Sequence, residues 1–88
     1  MQEKLLTMVV LDSAASGPRL GLAISARAVP LAVSRNRIKR LARETFRARS
    51  ATLPAVEVVL QARSGAAGAE AAELRATLER MWQRLAGT

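Results

Sequence analysis

The sequence predicts a small mixed α/β (α+β) domain with its elements in the order strand, strand, helix, strand, helix. Three observations carry that reading. Val56-Glu57-Val58-Val59-Leu60-Gln61-Ala62 is dominated by β-branched residues, as a half-buried strand requires. Leu74, Leu78, Met81, Trp82 and Leu85 recur at the spacing of one helix face. From about Leu31 to Arg49 there is neither Gly nor Pro, and good helix formers prevail. With 88 residues the chain has room for a single domain, residues 1–88. A chain of that size buries only about 60% of the surface its unfolded form exposes. Eighteen of its hydrophobic residues are alanines and only two are aromatic, so leucine, valine and methionine must supply the core.

The remaining elements follow in order. Leu5–Leu11 is short, apolar and contains a Val-Val pair, which suits a buried strand. Ser13-Ala14-Ala15-Ser16-Gly17-Pro18 reads as a turn, where Gly and Pro break periodicity. Arg19–Ser25 alternates through Leu20, Leu22 and Ile24, and its leucines and Gly21 leave its pairing partner to decide it. Pro30 suits the first turn of the following helix, where a missing N–H is harmless. Pro54 closes the next connection, and Gly65 and Gly68 bracket a loop. The last helix is expected over Ala69–Leu85, with Glu70 and Glu73 early, Arg80 and Arg84 late as the helix dipole prefers, and Gly87 as its stop.

Composition excludes whole classes of chemistry. There is no cysteine and no histidine, which removes disulfides, thiolate and imidazole metal sites, and histidine acid–base catalysis. The serines therefore have no base to activate them, and the carboxylates show no paired spacing. No phosphate loop is present, since Gly65-Ala66-Ala67-Gly68 lacks a following Lys-Ser/Thr. No apolar stretch is long enough to span a membrane. Lys4, a short apolar run and Ser13–Ser16 imitate a signal peptide, but Glu3 and the shortness of the run oppose that reading. A cytoplasmic protein is expected.

Charge supplies the functional signal. Fourteen basic residues stand against seven acidic ones, for a net charge of +7. Seven of the basic residues and a single acid, Glu44, lie between Arg35 and Arg49, so one element carries nearly all of the excess. On a wheel of roughly 100° per residue, Arg35, Lys39, Arg43 and Arg47 follow one another along one face. Arg40 joins that arc and Asn36 falls within it, while Arg37 stands near its far edge. Leu31, Ile38, Leu41, Ala42, Thr45 and Ala48 occupy the opposite arc, with Phe46 at the boundary. A charged face is usually just solvated, but solvated faces mix signs, because acid–base pairs four apart stabilise them. Like charges so spaced repel by a few tenths of a kcal/mol per pair, so a stripe of this kind points to a polyanionic partner. Arginine suits planar phosphate contact. Trp82 reads as a core anchor, and Phe46 as core with base stacking as its functional alternative.

The segment Val29-Pro30-Leu31-Ala32-Val33-Ser34-Arg35-Asn36-Arg37-Ile38-Lys39-Arg40-Leu41-Ala42-Arg43, continuing through Glu44-Thr45-Phe46-Arg47, resembles the arginine-rich signature of the bacterial ribonuclease P protein subunit. Pro18-Arg19-Leu20-Gly21-Leu22 upstream, and Leu53-Pro54-Ala55, the valine-rich strand and Leu-Glu-Arg-Met-Trp downstream, are similar to that family in order and spacing. The resemblance implies a two-layer sandwich of a small sheet and two helices, with a left-handed βαβ crossover against the general preference. It implies a protein that binds ribonuclease P RNA and precursor tRNA and assists removal of the 5′ leader. The Mg²⁺-dependent hydrolysis would belong to the RNA, with no cofactor on the protein alone and no protein oligomer required. By matching positions it implies RNA contacts for Arg27, Arg35, Asn36, Arg37, Lys39, Arg40, Arg43 and Arg47. Family members usually open with a further helix and strand that wall a cleft for the leader. This sequence enters its first strand almost at once, so the resemblance implies a short form, with Ala26 and Pro30-Leu31 where the family often has basic residues. The alternative is a structural RNA-binding protein of ribosomal or chaperone type using the same helix. A major-groove DNA reader would need a second short helix before the basic one, and a protein nuclease would need a carboxylate cluster.

Overall fold

The β-branched run forms the central strand because both of its edges find partners. The structure is a computed structural model that describes residues 1–12 and 17–87, so residues 13–16 of the expected turn lie outside the described residues. Strand β1 (Leu6–Asp12) runs antiparallel to β3 (Val56–Ala62), in register from Leu6 opposite Ala62 to Asp12 opposite Val56. Strand β2 (Arg19–Ala23) pairs parallel to the other edge of β3, from Arg19 opposite Glu57 to Ala23 opposite Gln61. The sheet order is therefore β1-β3-β2. A parallel pair cannot be joined by a hairpin. Helix α1 (Ala32–Arg49) is the crossover between β2 and β3, and helix α2 (Ala71–Ala86) follows β3 after a short 3-10 turn, Ser64–Gly68.

Period-two alternation gives the sheet one apolar face for the helices. Leu6 and Met8 of β1 and Val58 and Leu60 of β3 are buried there, and the half-buried Leu20 and Leu22 of β2 pack against them. The helices contribute stripes at the expected spacing: Ile38, Leu41, Ala42 and Thr45 from α1, and Leu74, Thr77, Leu78, Met81, Trp82 and Leu85 from α2. Trp82 is fully buried and joins the two helices. Its Nε1 donates to Thr45 Oγ1 at 2.8 Å, and that hydroxyl donates in turn to the Leu41 carbonyl at 2.8 Å. The Phe46 ring meets the indole edge-on, with centroids 5.4 Å apart and planes at 65°.

Several boundaries differ from the sequence reading, each for a local reason. Leu31 is the extended N-cap of α1, so Pro30 precedes the helix and does not occupy its first turn. Because Leu31 is not helical, its place on the wheel does not hold, and it is 70% exposed. Ala48 is exposed as well, since the packing stripe of α1 narrows to Ile38, Leu41, Ala42 and Thr45. Strand β2 ends at Ala23, where Ser25 turns the chain by accepting the Ala28 N–H at its hydroxyl, 3.1 Å, and the Val29 N–H at its carbonyl, 3.0 Å. Ala69 is the extended C-cap of the 3-10 turn, its N–H donating to the Ala66 carbonyl, and Glu70 is the extended N-cap of α2, so α2 starts at Ala71. At the other end Gly87 closes α2 as expected, its N–H reaching the Gln83 carbonyl at 3.0 Å.

Replacing Thr45 by valine keeps its shape but leaves the Trp82 N–H buried with no acceptor. Thr45→Val should cost about 1–3 kcal/mol in chemical denaturation. Thr45→Ser, which keeps the hydroxyl, should recover most of that loss.

Candidate nucleic-acid interface

The interface is built on the face of α1 that the Trp82 contact leaves in solvent. Lys39, Arg43 and Arg47 stand at successive intervals of four and look across to β2, the edge strand of the sheet. With Arg19, Leu20, Leu22 and Phe46 they line an open cleft of about 680 Å³. A second, shallower concavity of about 300 Å³ lies further along α1, between Val33, Asn36, Arg37 and Arg40. No carboxylate lines either one.

The placement of the acids explains why these cations are free. Glu44 is shared by Arg40 at 4.0 Å and Arg75 of α2 at 3.5 Å. Glu79 holds Arg49 at 2.9 Å, tying the end of α1 to α2. Glu3 takes Arg80 at 3.1 Å and Arg84 at 3.2 Å, one on each oxygen. Among the described residues, Arg19, Arg27, Arg37, Lys39, Arg43 and Arg47 form no ion pair within the 4.0 Å limit. Helix α1 also has no acidic residue in its first turn, where the dipole would favour one. The chain therefore keeps a run of uncompensated positive charge along α1, from Arg37 to Arg47 in its last turn.

The wheel of the sequence reading is only partly realised. Arg35 leaves the basic arc: its Nη1 bends back to donate to the carbonyls of Val29 at 2.9 Å and Pro30 at 2.8 Å. Those bonds fix the entry to α1 and offset the poor match between a cation and a helix N-terminus. The rest of the arc divides between the two concavities, with Lys39, Arg43 and Arg47 in the first and Asn36, Arg37 and Arg40 in the second. Arg27 is exposed in the turn before α1 and lines neither. Sequence reasoning missed Arg19, Leu20 and Leu22 as lining residues, because only the strand order reveals that β2 is an edge beside the basic helix.

Such a surface can hold phosphates by charge-assisted, often bidentate, hydrogen bonds and can receive apolar rings on its floor. Among the described residues no group of three or more His, Cys, Asp or Glu side chains could hold a metal ion. No helix of the described residues is long and apolar enough to cross a membrane.

Comparison with known proteins places the chain in a family. The Ribonuclease P family model matches residues 1–86. The ribonuclease P protein component of Thioalkalivibrio sulfidiphilus is 48% identical over 79 residues, spanning 90% of this chain and 66% of the relative. That of Idiomarina loihiensis is 41% identical over 80 residues, spanning 91% of this chain and 64% of the relative. The chain thus covers slightly less than two thirds of the length of these relatives. Among solved structures, the Staphylococcus aureus RNase P protein superposes with a TM-score of 0.87 at 24% identity, over 96% of this chain and 77% of that one. The Thermotoga maritima RNase P protein, in complex with 1-(4-fluorophenyl)-2-thiourea, gives 0.83 at 21% identity, over 96% and 82%. These two likenesses carry the fold, a mixed α/β sandwich of a three-stranded sheet and two helices. With a family model spanning nearly its whole length and a half-identical relative, the chain belongs to the ribonuclease P protein family.

Proposed function

We propose that this chain acts as the protein subunit of ribonuclease P. It binds the ribonuclease P RNA through α1 and assists the Mg²⁺-dependent removal of the 5′ leader from precursor tRNA in the cytoplasm. The observation that carries the reading is the unpaired cationic face of α1, formed by Arg37, Lys39, Arg43 and Arg47 in a member of this family. Asn36 and Arg40 extend that face, Arg27 stands at its approach, and Arg35 shapes the helix entry.

The division of labour follows from the side chains. Folded RNA brings phosphates close together, and their repulsion must be screened by bound cations. A rigid helix bearing fixed guanidinium groups supplies part of that screening and releases counterions as it binds. The chain has no histidine or cysteine, and among the described residues no carboxylate lines either concavity and no cluster of ligands could hold a metal ion, so in this reading the RNA and its Mg²⁺ carry out the hydrolysis. Assistance by such a subunit is greatest where Mg²⁺ is scarce.

Two outcomes are expected. Added to bacterial ribonuclease P RNA at low Mg²⁺, the chain should restore cleavage of a precursor tRNA with the correct 5′ end. Tight binding without cleavage, and without preference over other structured RNA of equal size, would mark a general RNA-binding module instead. The double variant Arg43→Glu, Arg47→Glu should weaken binding to ribonuclease P RNA by roughly 10- to 100-fold in a titration near physiological salt. Its unfolding free energy should change by less than about 0.5 kcal/mol, since both side chains are exposed and unpaired.

A further inference from the structure

Glu3 gathers more positive charge than it can neutralise. Its carboxylate takes Arg80 at 3.1 Å and Arg84 at 3.2 Å, and its carbonyl accepts from Arg63 Nη1 at 3.0 Å. The exposed Lys4 follows it in the chain. Among the described residues, no other carboxylate lies within 4.0 Å of any of these four cations. The Glu3 side chain is only 17% exposed, against 56% for Arg80 and 55% for Arg84, so the anion lies beneath and the guanidinium groups face solvent. A tie between the first residues and α2 needs one arginine, and each further cation adds repulsion. We infer that Lys4, Arg63, Arg80 and Arg84 form a second phosphate site, which takes the backbone of an RNA duplex segment other than the one held by α1. The inference rests on the RNA-binding reading above and extends it to a second contact.

Three observations select that ligand. First, the cations are held in place before any ligand arrives. The Glu3 N–H donates to the Leu6 carbonyl at 2.8 Å and the Arg63 N–H to the Leu5 carbonyl at 2.9 Å, while Thr77 Oγ1 accepts a further bond from Arg80 at 3.2 Å. A guanidinium carries several N–H donors, so those not spent here remain for phosphate oxygens. Second, the site has charge but no ring. The only aromatic residues of the chain are Phe46, which lines the α1 cleft, and Trp82, which is buried. A surface that reads only backbone suits a duplex, whose bases are turned inward. Third, the site stands apart from the basic face of α1. Gln2 bridges to Thr7, which places the first residues at the β1 edge of the sheet, whereas the α1 cleft lies at the β2 edge. On α2, Arg80 is turned about 100° from Glu79, which reaches Arg49 of α1. The two cationic surfaces therefore look away from each other, and one straight duplex cannot lie on both.

The test counts RNA duplexes of about one helical turn bound to the full chain, by native mass spectrometry at low salt. The unaltered chain should take two. Arg80→Gln with Arg84→Gln should take one, and so should Arg43→Glu with Arg47→Glu, since each variant keeps the other surface. Because the first pair also releases Glu3, a second pair is needed. Lys4→Gln with Arg63→Gln leaves both ion pairs of Glu3 in place and should weaken the second duplex about tenfold. A single duplex on the unaltered chain overturns the inference, as do second-site variants that hold both duplexes as tightly as the unaltered chain. Two titrations with the Arg80, Arg84 variant locate the segment. Weaker binding of ribonuclease P RNA assigns it to that RNA, and unchanged RNA binding with weaker capture of precursor tRNA assigns it to the substrate. If the unaltered chain takes one duplex, and Arg43→Glu with Arg47→Glu abolishes it, only the second site is lost. If it takes none, the proposed function falls as well.

Discussion

The hydrogen bond from the Trp82 indole to Thr45 sets the geometry on which the rest of this molecule depends. A helix lying on a sheet can rotate about its own axis unless something specific stops it, and the three buried aliphatic residues of α1, Ile38, Leu41 and Ala42, stop it only loosely. The indole is fully buried, and its single donor has to find an acceptor. Thr45 provides it at 2.8 Å, and rotating α1 in either direction would break that bond in a dry environment. Phe46, one residue on, is held against the same ring. With Thr45 and Phe46 fixed, Lys39, Arg43 and Arg47 can face only the edge of β2. The orientation of the basic surface is thus a consequence of core packing.

Electrostatics divides the molecule along the same line. Glu3, Glu44 and Glu79 are all engaged with arginines on or beside α2, and Glu79 and Glu44 also brace α1 against it. What remains on the outer side of α1 is positive charge with no internal answer. Exposed ion pairs of this kind contribute little stability each. Their more important effect is to gather the acids away from one surface, leaving it unneutralised for a polyanion. The unpaired face is less favourable for the isolated fold than a mixed one would be, in accord with a surface completed by its partner.

Much of this was legible in the residues, and the exceptions are instructive. The valine-rich strand lies over Val56–Ala62 as expected, and all five positions of the α2 stripe are buried, because burial patterns are local and periodic. The concentration of charge on α1 could also be read directly. The fate of Arg35 was not legible. A wheel assumes side chains point outward, whereas a long guanidinium near a helix start can fold back onto carbonyls of the preceding loop. Leu31 misled for a related reason, since a wheel says nothing about a residue outside the helix. The cleft was hidden because it depends on long-range pairing. Nothing in Arg19–Ala23 states that β2 is an edge strand parallel to β3, and so that Leu20 and Leu22 border the basic helix.

The central claim is that a fixed, unpaired cationic face of α1 binds RNA through its phosphates. The most direct measurement is the salt dependence of the affinity for ribonuclease P RNA. Five to seven phosphate contacts predict a log–log slope of roughly −4 to −6. A slope near zero would contradict the account, because binding would then owe nothing to the charges that the fold leaves uncovered.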